Sequence, residues 1–153
     1  MQDGRVLAII PVYEVAMPIS VEPRESGHVL YYAFIDPWTI ADVSSVGVQA
    51  QTYLENATGK VHNVVDLRQS KQLPQGILHA RHAFAVLFDH RDAGETVIVG
   101  ASRLARAMGE LIAELLHFGR MKFFEQEGEA WTHIRQAIAA DNGHDNRRIG
   151  NHS

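Results

Sequence analysis

Asp66 is the carboxylate best placed for chemistry in this chain. It ends the strand-like run 61–66 and opens a polar loop, a position where α/β proteins often set a functional carboxylate. General acid–base catalysis needs a second titratable group within reach, and the neighbouring sequence offers no evident one. The competing reading is structural: the carboxylate accepts from backbone N–H groups of the loop that follows. The structural role is the favoured one.

The segment Val97-Ile98-Val99-Gly100-Ala101-Ser102-Arg103 reads as a strand running through a glycine into a helix start. A dinucleotide fingerprint requires three glycines, a P-loop a Lys-Ser/Thr pair, and a nucleophile elbow a second glycine; all are missing. Gly100 therefore ends a strand and Ser102 caps a helix, whose free N–H groups and Arg103 leave room for an anion. His79 and His82 lie three apart on one predicted helix, near enough to share a metal. No Glu-x-x-His motif accompanies them, and Arg81 adds positive charge between them. They read as surface or boundary histidines. Tyr31, Tyr32, Phe34 and Trp38 crowd one strand end, where aromatic residues either build a core or line an apolar pocket. No catalytic residue, metal or cofactor is assigned, and the chain is expected not to be an enzyme.

Composition narrows the function classes. The 153 residues suit one domain with one core, and 46% hydrophobic with 21% charged residues is globular rather than disordered composition. A formal charge of -4 gives no long-range attraction to phosphate backbones, so nucleic acid is not an expected partner. With no cysteine, a disulfide framework, a thiolate zinc site and a cysteine nucleophile are all excluded. The apolar run Val6–Ile10 stops at Pro11, whereas a membrane span needs about 20 residues. Neither a secretory signal nor stable membrane insertion is expected, and a cytoplasmic location is.

The elements that must position these residues follow from periodicity. Residues 1–16 precede a second possible start at Met17 and are either an upstream extension or an added edge strand through Arg5–Ile10. Ile19–Arg24 and His28–Ile35 read as two strands about a turn at Glu25-Ser26-Gly27, with Gly27 supplying positive φ. From Val29 to Ile35 the second strand is apolar at every position, which implies cover on both faces. Thr39 is a helix N-cap. After it Ile40, Val43, Gly47, Ala50 and Leu54 mark one helical face, ending near 56–59.

Strands are then expected at 61–66, 96–100 and 121–125, with helices at about 75–88, after Ser102, and at 127–140. Residues 141–153 have no apolar periodicity and read as a solvated, flexible polar tail. The order predicts an α/β fold over residues 17–140: a mixed, mostly parallel sheet of about five strands with flanking helices and one antiparallel edge.

Val64-Val65-Asp66-Leu67, a short loop, then Gly76-Ile77-Leu78 opening a helix resembles the STAS or SpoIIAA-like family of anti-anti-sigma-factor domains. The likeness covers about residues 18–140 and includes Val97–Gly100 and Lys122-Phe123-Phe124. It implies a regulatory or adaptor domain that binds a protein partner, such as a regulatory kinase or anti-sigma-like protein; a homodimer is compatible with it. The chain departs from the family at its switch. Regulated members carry a phosphorylatable Ser or Thr before the glycine, where this chain has Leu73-Pro74-Gln75-Gly76, and Ser70 lies six residues upstream of Gly76.

Docking is therefore expected through residues 67–78, with Asp66, Arg68, Ser70, Leu73, Pro74, Gln75 and Gly76 as the partner-binding residues. The alternative is a carrier holding a small apolar or lipid-like ligand between sheet and helices, with the aromatic strand as its wall; the family's fold is also compared with CRAL-TRIO lipid-transfer domains.

Overall fold

A computed structural model of the chain describes residues 17–72, 74, 76, 82–83, 92–100, 102–103, 106–107, 109–110 and 121–150, with residues 144–150 described by backbone alone. Strands β1 (Ile19–Arg24) and β2 (Val29–Ile35) form an antiparallel hairpin, paired from Ile19↔Phe34 to Arg24↔Val29. The turn between them is left-handed at three consecutive residues, with φ of 51° at Glu25, 57° at Ser26 and 87° at Gly27. Glycine accepts that region freely, whereas a Cβ makes it costly at the two residues before it.

Helix α1 (Ile40–Glu55) starts where the sequence places it. The Thr39 hydroxyl accepts from Asp42 N–H at 3.2 Å and the Asp42 carboxylate accepts from Thr39 N–H at 2.8 Å, a reciprocal capping box. Its inward stripe is Val43, Val46, Gly47 and Ala50. Strands β3 (Val61–Gln69), β4 (Ala93–Val99) and β5 (Met121–Phe124) add in parallel, so the sheet runs β1-β2-β3-β4-β5 with only β1 reversed. This is the mixed, mostly parallel α/β sheet expected from the order of elements. Helix α2 (Glu127–Gly150) closes the described chain.

The apolar side chains divide into two clusters, one on each face of the sheet. One joins Leu30, Tyr32, Phe34, Val65 and Ile98 to Trp38 and to Val43, Val46 and Ala50 of α1, with Ala83 packed against it. The other joins Val29, Tyr31, Val64, Val97 and Val99 to Ala130, Trp131 and Ile134 of α2. Cover on both faces explains why β2 is apolar throughout and buried at five of its seven positions. Leu30, Tyr32, Val64, Ile98 and Trp131 are all buried.

Three boundaries differ from the sequence reading by three residues or more. β3 continues three residues past Asp66, because β2 offers it further pairing as far as Ile35↔Gln69. β4 begins three residues earlier than expected, where Ala93 pairs with Val61. The last helix does not end at Ala140 but runs to Gly150. Its extension is anchored at Asp141, whose carboxylate lies 2.8 Å from His62 Nε2 and 3.8 Å from Lys60 Nζ. Such a tertiary anchor leaves no apolar period in the sequence. Of the helix expected over 75–88, His82 and Ala83 are described and helical; of the one after Ser102, Arg103, Arg106, Ala107, Gly109 and Glu110 are. No helix among the described residues is long and apolar enough to cross a membrane.

Candidate functional site at the carboxyl edge of the sheet

The chain leaves β4 toward the α1 face, since a Cβ at helical Gly109 would lie within 3 Å of Ile98 and Phe123, which belong to that face. It leaves β5 toward the opposite face, into α2. Adjacent strands whose connections diverge in this way open a crevice at their carboxyl ends, the usual ligand position in open α/β sheets. The extended end of β3 borders this edge.

Asp66 lies inside β3, not at its end. Its carboxylate accepts from the Tyr31 hydroxyl at 2.5 Å, from the Arg68 backbone N–H at 3.0 Å, and from Arg68 Nε and Nη2 at 3.0 and 2.7 Å. Arg68 Nη2 also reaches Glu127 at 2.9 Å, and the Trp131 indole N–H donates to Glu127 at 3.1 Å. Trp131 stacks on Tyr31 with ring centroids 6.0 Å apart, which closes the ring of contacts. Burial acts to raise the Asp66 pKa, but hydrogen bonds from Arg68 and Tyr31 outweigh it and hold the group below the usual carboxylate value. Burial, then the Asp66 hydrogen bond, pushes Tyr31 up to about 12. The Asp66 hydrogen bonds raise Arg68 further. Asp66 is thus an ionised structural acceptor with no oxygen left for a general-base role, and it caps the backbone as the sequence suggested.

Ser70 belongs to a second buried network and is itself only 4% exposed. Its hydroxyl accepts from the Trp38 indole N–H at 2.7 Å and donates to Asp36 at 3.2 Å. The other Asp36 oxygen accepts from Lys71 N–H at 2.6 Å. Asp36 N–H bonds Gln69 O and Ser70 N–H bonds Leu67 O, so both strands of the edge are tied together. Asp66 and Ser70, two of the residues expected to meet a partner, are therefore turned inward and position the loop instead. Their signal in the sequence was weak. Asp66 and Arg68 share a face only if the strand runs on past 66, and Asp36 and Trp38 lie more than thirty residues from Ser70.

What the edge presents outward is Arg68, Gln69, Lys71 and Gln72, with Pro74 half-buried. An open depression of about 410 Å3 is lined by Leu67, Arg68, Lys71, Ser102 and Glu125. Gly76 is exposed and left-handed, with φ of 78°, so it forms a turn rather than the first turn of a helix. Leu73 and Gln75 lie outside the described residues, as does His79; His82 is exposed. Gly100 N–H bonds Phe124 O at 3.0 Å, and a Cβ there would meet Leu67 at an ordinary 3.6 Å, so no ligand approach explains this glycine. Tyr31, Tyr32, Phe34 and Trp38, the candidate wall of a carrier cavity, are each 9% exposed or less and pack in the two cores. No family model, curated protein or solved structure matches the chain.

Proposed function

We propose that this chain is a non-catalytic regulatory or adaptor domain that docks a protein partner on the carboxyl edge of its sheet. One observation carries the reading. The backbone from Asp66 to Lys71 is pinned from below by two buried polar networks, yet Arg68, Gln69 and Lys71 of the same segment, and Gln72 next to it, face outward beside an open depression. A loop already held in place loses little entropy on binding, which favours a recognition surface. The side chains of a catalytic kind beneath it are spent on one another. The resemblance to anti-anti-sigma-factor domains points the same way, with the partner a kinase-like or anti-sigma-like protein.

Phosphorylation is not the switch at this surface. Gln75 precedes the glycine, and the Ser70 hydroxyl is occupied on both sides and buried. The carrier reading is the weaker one, because the aromatic residues it needs as a cavity wall are packed in the core.

Site-specific photo-crosslinking in the native host tests the proposal. A crosslinker at Gln72 is expected to capture a discrete protein, and one at Val48, exposed on α1, is not. Lys71→Glu should abolish the Gln72 adduct without changing the melting temperature. Adducts at Val48 alone would place the interface on α1 and end this reading.

A further inference from the structure

We propose that a cavity at the opposite, amino-terminal edge of the sheet is a binding site for a small aromatic carboxylate. The cavity measures about 250 Å3 and lies between the β1–β2 turn and the segment joining α1 to β3. An apolar cavity of roughly 150 Å3 holds a benzene molecule, so this one takes a single ring with one substituent.

Its lining selects the chemistry. Leu30, Val61 and Ala57 supply an apolar floor, and Tyr53, 39% exposed, offers a ring at the wall. Such surfaces favour a flat apolar body. Three side chains at the same cavity are polar and nitrogen-bearing, and one of them, Asn56, is spent on Thr52 O at 2.9 Å. The His28 imidazole has no hydrogen-bond partner among the described residues. Lys60 reaches Asp141 only at 3.8 Å, and the second oxygen of Asp141 is engaged by His62. An ammonium held this loosely, with its side chain half exposed, is open to a better anion. One cation beside an apolar slot matches a ring bearing a carboxylate.

The backbone supplies an independent pointer. Ser26 and Gly27 line the cavity, and the left-handed run from Glu25 to Gly27 includes two residues with a Cβ. Strain of this kind is concentrated at ligand clamps and active sites. A Cβ at Gly27 or Gly59 would meet nothing within 4 Å, so both glycines leave the space beside them open.

The test uses the isotopically labelled full chain titrated with benzoate, and with benzyl alcohol as the neutral counterpart. Benzoate is expected to give saturable shifts at the amides of Ser26, Gly27, His28, Thr58 and Gly59, and benzyl alcohol weaker ones. Lys60→Met should raise the benzoate Kd roughly tenfold or more, the scale of one lost charge-assisted contact. The same variant should melt as the wild type does, because the 3.8 Å pair contributes little. Tyr53→Ala should weaken both ligands alike. Shifts that fail to saturate, or that map to the carboxyl edge, would overturn the site. Equal affinity for the two ligands, or no effect of Lys60→Met, would overturn the carboxylate.

Discussion

The imidazole of His62 occupies the space that any side chain at Gly94 would need: a Cβ there would lie 2.3 Å from Nδ1 and 2.6 Å from Cε1. The ring cannot readily swing away. Glu95 N–H donates to Nδ1 at 2.9 Å, which leaves Nε2 to donate to Asp141 at 2.8 Å, and the residue is 2% exposed. Gly94→Ala should therefore destabilise the fold by about 1–3 kcal/mol, the usual cost of overpacking. Denaturant titration measures it. Adding His62→Ala should recover part of the loss, since the double variant removes the collision; a cycle without coupling would mean that the ring moves freely.

Asp66 and Tyr31 set opposite pH limits on the Tyr31–Asp66–Arg68 network. The folded pKa of Asp66 is depressed, so its contribution is present above its unfolded value, near about 4, and is lost as pH falls through the folded value. The folded pKa of Tyr31 is raised from 10.0 to about 12, so its contribution is complete below pH 10 and is lost as pH rises toward 12. Asp66→Asn should flatten the acid limb of a stability–pH curve. It should also lower the Tyr31 phenol pKa, read from the phenolate absorbance, while burial keeps that value above the ordinary one.

Ser70→Ala leaves the buried Trp38 N–H without its acceptor and Asp36 without one donor. An orphaned buried donor costs about 1–3 kcal/mol, and chemical denaturation should report a loss in that range. Ser70→Asp should do worse, because it sets a second carboxylate against Asp36. Native mass spectrometry of protein from its host should find Ser70 unphosphorylated; a stoichiometric phosphate there would show that the edge opens.

Trp131 is 8% exposed, stacks on Tyr31 and donates to Glu127. Trp131→Ala should cost about 3–5 kcal/mol, as for other aromatic truncations in cores. A loss below 1 kcal/mol, measured by urea titration, would mean that α2 packs elsewhere.

Gly76→Ala should cost about 1 kcal/mol even though a Cβ there meets no neighbour, because φ of 78° belongs to glycine. A bulky probe of docking therefore belongs at Lys71 or Gln72, where an added side chain carries no backbone penalty. Thermal melting of Gly76→Ala beside Gln72→Ala separates the two cases.

Local pattern was enough for most of the architecture. An unbroken apolar β2 implied cover on both faces, Thr39 announced the start of α1, and strand–helix alternation implied parallel crossovers, because each of these depends on residues a few positions apart. The boundaries it missed were set by pairing across the sheet: Gln69 against Ile35, Ala93 against Val61, and Asp141 against His62. The candidate site was half legible for the same reason. Polar residues 67–72 marked a loop worth attention, but whether each faced a partner or the interior depended on Tyr31, Asp36, Trp38 and Glu127. Only the folded sheet brings those side chains within hydrogen-bonding distance of Asp66, Arg68 and Ser70, and a buried polar group keeps whichever partners the fold delivers.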